Sequence, residues 1–212
     1  MANTTYARLT AGLIGGWFLF SLSAAALRVF ENYTARPPLS LGLAVLTPIV
    51  LFSAWYATSA GFRQFALTLN PRVLTMVQAW RIGGFMFLVL HTHGILPGIF
   101  ALPAGWGDIV IGATAPLVAM ELTHFGHRKV FILWQVLGML DLVMAVSLGT
   151  LAGIIRPNEI TTGAMTVLPL SLIPTFAVPL LITLHVICIA QARRWPERRS
   201  SRAEEQLASS EA

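Results

Sequence analysis

The sequence is poor in charge. Of its 212 residues only 11% are Asp, Glu, Lys or Arg, while 56% are hydrophobic; an ordinary soluble domain carries about 25% charged residues. That deficit excludes a conventional soluble fold, and the high apolar content excludes intrinsic disorder. Cysteine is nearly missing. Cys188 alone forms no intrachain disulfide and no cysteine-based metal site, and its apolar neighbours read as a core environment. Lysine is equally scarce, Lys129 standing against thirteen arginines. The composition, rich in Arg and Ala, suggests a GC-rich bacterial genome. Phosphate loops, dinucleotide-binding glycine patterns and Gly-x-Ser-x-Gly elbows do not occur.

What the chain does have is long apolar runs, at 9–27, 39–60, 85–90 and 109–120. A helix needs about 20 apolar residues to cross the hydrocarbon core. Six stretches qualify, near 9–30, 39–60, 71–93, 104–123, 130–150 and 168–192. Barrel strands alternate apolar and polar residues and are excluded by the continuous runs. The expected fold is all-α: a polytopic membrane protein, one bundle of six transmembrane helices over 1–192, arranged as three helical hairpins if a weak repeat is real. That repeat pairs Ile14-Gly15-Gly16-Trp17 with Ile82-Gly83-Gly84-Phe85 and has a looser echo at Leu137-Gly138; small residues that let helices pack closely explain it as well. Residues 193–212 form a polar, basic tail expected to be disordered.

Arg and Lys are distributed unevenly between the loops. The N-terminus, second and fourth loops and tail hold Arg8, Arg63, Arg72, Arg128, Lys129, Arg193, Arg194, Arg198, Arg199 and Arg202. The remaining loops hold Arg28, Arg36 and Arg156. The positive-inside rule puts both termini in the cytoplasm of an inner (plasma) membrane protein. The net charge of +5 therefore points to the lipid bilayer, with anionic lipid at the basic tail, and not to nucleic acid. Ser23-Ala24-Ala25-Ala26 resembles a signal-peptide cleavage site, so loss of the first run is an alternative that leaves the other five spans unchanged.

Local signals refine this frame. Asn70-Pro71 reads as an N-cap followed by proline at the first helical position. Before it, Phe62, Phe65 and Leu69 share a face opposite Arg63 and Gln64, which predicts a short helix on the membrane surface. Residues 94–107 are uncharged and contain five glycines and prolines before Trp106 and Gly107. They read as a loop that dips into the interface or lines a cavity.

Ionisable residues inside spans are costly and mark function by default. Counted at 1.5 Å per residue from the cytoplasmic ends, Arg81 lies about 13 Å deep, Asp141 about 17 Å, His185 about 12 Å, and Gln78 and Gln135 about 9 Å. These five form an expected intramembrane polar layer. A purely structural Arg81–Asp141 clamp is the rival reading. His91 and Asp108 form a smaller outer layer flanking the uncharged loop, with Asp108 at the start of the fourth helix. Pro169 is expected to open the sixth helix, and Pro174 and Pro179 to kink it. Glu121, His124 and His127 are half of a di-iron pattern whose second copy is missing, so a solvated helix end is preferred. His91 and His185 differ in depth by about 16 Å, too far to share one haem iron. No residue is assigned a catalytic role, and no metal or cofactor is expected. The function classes left open are a transporter or permease binding a small solute or relaying protons, an enzyme acting on a lipid or isoprenoid, and a scaffold or accessory subunit.

Overall fold

A computed structural model describes residues 2–32, 39–155 and 160–195. Every regular element among them is helical. The elements are α1 (Ala2–Ala26), α2 (Leu39–Thr58), α3 (Ala60–Thr68), α4 (Pro71–Val77), α5 (Phe85–Thr92), α6 (Gly98–Glu121), α7 (Arg128–Ile155) and α8 (Val178–Ala192). A 3₁₀ segment, Gln78–Gly84, joins α4 to α5, and a π-helical turn, Ile173–Ala177, leads into α8. Six helices are long and apolar enough to cross a membrane. Their outward faces carry Leu13, Leu43, Leu117 and Leu133, all exposed. Such an apolar exterior suits lipid and not water.

The α4–α5 rod, α6, α7 and α8 form the core of the bundle. α6 lies along the whole rod and against α7, and α8 packs on α7, α4 and α2. α2 also rests on the π turn, and α1 on α3 and that turn. Burial follows this order: 61% of the sixth span is buried against 17% of each of the first two. Consecutive spans do not all pair as hairpins. α1 meets α2 mainly where they join, through Ala24, Ala25, Phe30, Leu41 and Ala44.

The expected short helix is α3, with Phe62 and Phe65 buried. Ser59 caps it, its hydroxyl accepting from Phe62 N at 3.2 Å, and Phe62 stacks on Trp55 with ring centroids 3.7 Å apart. Its last carbonyls would be unpaired. Gln191 of α8 supplies the donor, its Nε2 reaching Leu69 O at 2.8 Å and Ala66 O at 3.1 Å. α4 starts at Pro71, with Asn70 Oδ1 accepting from Arg72 N at 2.9 Å.

Two boundaries that bear on the site differ from expectation. The uncharged stretch is not a loop beyond residue 97: α6 begins at Gly98 and runs through Pro103, Gly105 and Gly107. Its glycines mark close approach. A Cβ on Gly105 would lie 2.6 Å from the Leu88 side chain, and one on Gly107 would overlap the Asp141 carboxylate. Small residues are how helices approach one another in lipid. Asp108 therefore lies more than two turns inside α6, not at its start.

The sixth span opens at Ile173 and not at Pro169. Pro174 sits in its first turn, where a missing N–H costs nothing, so it does not kink an established helix. The irregularity is the π turn that follows. Pro179 has no N–H for the carbonyl four residues back, Thr175 O. That oxygen accepts instead from the Trp17 indole at 2.8 Å and from the Ser21 hydroxyl at 3.4 Å, tying α1 to the turn. Gly15 and Gly16 have open space where a Cβ would go, whereas Gly84 faces Asp108; the two halves of the weak repeat occupy different environments. The tail arginines Arg198, Arg199 and Arg202, with Arg36 and Arg156, lie outside the described residues.

Candidate functional site

Arg81 stands at the centre of the bundle, and the 3₁₀ segment puts it there. In a 3₁₀ turn side chains three apart eclipse, so Gln78 and Arg81 project together into the core, both buried. Two glycines let α6 close on this segment. A Cβ on Gly112 would overlap the backbone of Ile82, and one on Gly84 would overlap Asp108.

The guanidinium ties three helices to its own. Its Nε donates to Asp108 Oδ1 of α6 at 2.7 Å, and one Nη2 hydrogen goes to Asp141 Oδ2 of α7. Nη1 donates to Gly138 O of α7 at 2.9 Å and lies 3.5 Å from His185 Nε2 of α8. Four of the five N–H groups of arginine are thus directed at the protein. Arg81 is 3% exposed, and a charge so enclosed persists only when paired and hydrogen-bonded. Both carboxylates come from different helices, so the triad joins three of the four core elements.

The site continues as a directed hydrogen-bond chain. His185 Nδ1 lies 2.5 Å from Gln135 Oε1, and Gln135 Nε2 donates to Thr75 Oγ1 at 3.1 Å. An amide oxygen only accepts, so the imidazole carries its hydrogen on Nδ1 and turns the Nε2 lone pair to Arg81. Thr75 Oγ1 is 3.9 Å from Cys188 Sγ. Gly138 makes room for this arrangement: a Cβ there would lie 2.6 Å from His185 Cε1. The chain orients the His185 ring and fixes its tautomer.

The residues read as an inner layer are distributed as follows. Arg81, Asp141, His185 and Gln135 are joined as described. Gln78 bonds instead to α8, its Nε2 donating to Leu181 O at 3.2 Å, while Oε1 has no partner among the described residues. Asp108 was assigned to an outer layer with His91 and belongs with Arg81; its displacement follows from the earlier start of α6. His91 closes the turn after α5, with Nδ1 3.1 Å from Leu96 O. Glu121 is exposed at the end of α6, and the His124 and His127 rings meet at 5.1 Å. The sequence gives no reason to single out Thr75; Gly138 enters it only as part of the weak repeat, and Cys188 only as the core residue it proves to be. A backbone acceptor and small buried side chains leave no sequence signal. Asp108 did leave one: counted from Gly98 it lies about 15 Å along its helix.

A cavity of about 170 Å³ adjoins the triad. Its walls come from α2 (Leu41, Gly42, Val45), the 3₁₀ segment with the start of α5 (Trp80, Gly84, Phe87), α7 (Leu142, Ala145, Val146) and the π turn. Thr150, Thr162 and Thr166 lie on its wall, as do Arg81 and Asp108; these two are the only ionisable side chains lining it among the described residues. Trp80 at its margin is 81% exposed. The site is therefore an apolar chamber with one charged wall, of the kind that holds a small molecule through a few placed polar groups.

Residues 37–193, which are 157 of the 212, match the family model described as "Domain of unknown function (DUF8737)", and the chain belongs to that family. No curated protein and no solved structure matches it.

Proposed function

We propose that this member of the DUF8737 family is a permease-like membrane protein that takes a small, largely apolar molecule into the chamber between α2, α5 and α7, its polar end at the Arg81–Asp108 pair. The observation that carries this reading is the chamber itself, lined by apolar side chains and ended by one ion pair. A scaffold needs the triad to hold its helices, but it has no use for an apolar void beside it. An acid–base enzyme needs two proton-transfer groups facing its substrate. Here Asp108 lines the chamber, whereas Asp141 and His185 do not.

The proposed setting is a bacterial inner membrane with both termini cytoplasmic, supported by the ten-to-three distribution of Arg and Lys across the loops. Reporter fusions at Asn70 and Gly126 then read cytoplasmic and a fusion at Gly98 reads external. An external reading at Gly126 overturns the orientation.

The function is tested with the full chain in lipid nanodiscs. Native mass spectrometry identifies the co-purifying molecule, and its flux is measured in proteoliposomes. Ala145→Phe puts a large side chain into the chamber from α7 and is expected to abolish both. Binding without flux above protein-free vesicles overturns the permease reading.

A further inference from the structure

We infer that the chamber selects a protonated amine: a small amphiphile whose ammonium group is held by Asp108 and whose apolar body lies against Phe87, Phe100, Leu142 and Met165. The inference rests on the proposed binding role of the chamber and names its ligand class.

Three observations lead to it. The first concerns which hydrogen-bonding capacity remains free. Arg81 directs four of its five N–H groups at Asp108, Asp141, Gly138 and His185, so it has little left for an anionic ligand. Asp108 is in the opposite position. Its Oδ1 accepts from Arg81, but its Oδ2 has no hydrogen-bond partner among the described residues. That oxygen lies against Gly84, which also lines the chamber. The wall thus offers an acceptor.

The second is the charge count. Arg81 contributes one positive charge, and Asp108 with Asp141 contributes two negative charges when ionised. His185 faces the cluster from α8 with a lone pair, and Gln78 from its own segment is uncharged. With both carboxylates ionised the cluster is one positive charge short, a deficit that a bound ammonium group would fill. A carboxylate ligand would add a third anion to an enclosed, low-dielectric site.

The third is the lining. The remaining wall is aromatic and aliphatic, and Phe87 and Phe100 pack with ring centroids 5.4 Å apart. Aromatic faces attract cations and accommodate an apolar body.

The test compares three probes of similar shape on the purified full-length protein: 2-phenylethylamine, 2-phenylethanol and 3-phenylpropanoate. The amine is expected to bind at least about tenfold tighter than either of the others, as a close charge pair in a dry site provides. Asp108→Asn is expected to remove this preference, and its thermal unfolding beside the wild type reports whether the variant is folded. A wild-type measurement covers failure of that variant to fold. Tighter binding of the acid, or equal binding of amine and alcohol, overturns the inference. Equal binding of amine and alcohol, both abolished by Ala145→Phe, leaves the chamber reading standing. Failure of all three probes to bind removes both.

Discussion

Arg81 and Asp108, 27 positions apart and on different helices, form a direct ion pair, Nε to Oδ1 at 2.7 Å. Because the same guanidinium also holds Asp141, the buried unit is a triad and not a pair. A two-residue clamp and a triad respond differently to substitution.

Arg81→Leu strands two carboxylates in the bundle and should cost about 3–5 kcal/mol, the usual penalty for breaking a buried ion pair. In a simple Arg81–Asp141 clamp, adding Asp141→Leu restores stability. Here it restores only part, because Asp108 remains unpaired, and Arg81→Leu with Asp108→Leu and Asp141→Leu restores most of it. Thermal unfolding in nanodiscs measures the series. Full recovery by the double variant contradicts the triad.

Glycines in the spans divide by what surrounds them. A Cβ on Gly112 would overlap the Ile82 backbone, which has nowhere to go, whereas Gly12 has nothing within 4 Å of that position. Gly112→Ala should destabilise by about 1–3 kcal/mol, as overpacking does. Gly12→Ala should be neutral or stabilise by up to about 1 kcal/mol, the helix-propensity difference. The same unfolding measurement compares them, and equal effects would mean that α6 does not approach the 3₁₀ segment as described.

The Trp17–Thr175 bond depends on the absence of an N–H at Pro179. Trp17→Phe removes the donor and should cost about 1 kcal/mol. Pro179→Ala supplies a backbone N–H to the same carbonyl, so in that background Trp17→Phe should cost less. A double-mutant cycle measures the coupling; strict additivity would show that the two donors do not compete for Thr175 O.

Cys188 is 1% exposed and packed between α4 and α7, against Leu74 and Phe131. A water-soluble maleimide should fail to label it in the folded protein and should label it at the rate of local opening as temperature rises. Rapid labelling at low temperature would mean that α8 is not seated against α4.

How much of this was legible in the sequence follows from the physics of each element. The six spans were readable because a bilayer demands long apolar runs, and the chain has six. α4 was readable from Asn70-Pro71, and α3 from the spacing of Phe62 and Phe65, because caps and amphipathic faces are local features. The start of α6 was not. Gly and Pro at 94–107 signal a loop in water, where freed backbone groups find solvent. In lipid those groups have no such partner, so the helix persists and its glycines become contact points.

Depth counting puts Gln78, Arg81, Gln135, Asp141 and His185 in one layer, since rise per residue is fixed by helix geometry. Which of them touch depends on how each helix is rotated about its axis and where it begins, and neither is a local property. Composition and periodicity by themselves determined an all-α chain with six helices long and apolar enough to cross a membrane and costly polar groups inside them. Only the tertiary structure decided that Arg81 has two carboxylate partners, that Asp108 is one of them, and that an apolar chamber opens beside the pair. Those outcomes depend on inter-helix approach at Gly84, Gly107, Gly112 and Gly138, positions where a missing Cβ has meaning only once the facing residue is known.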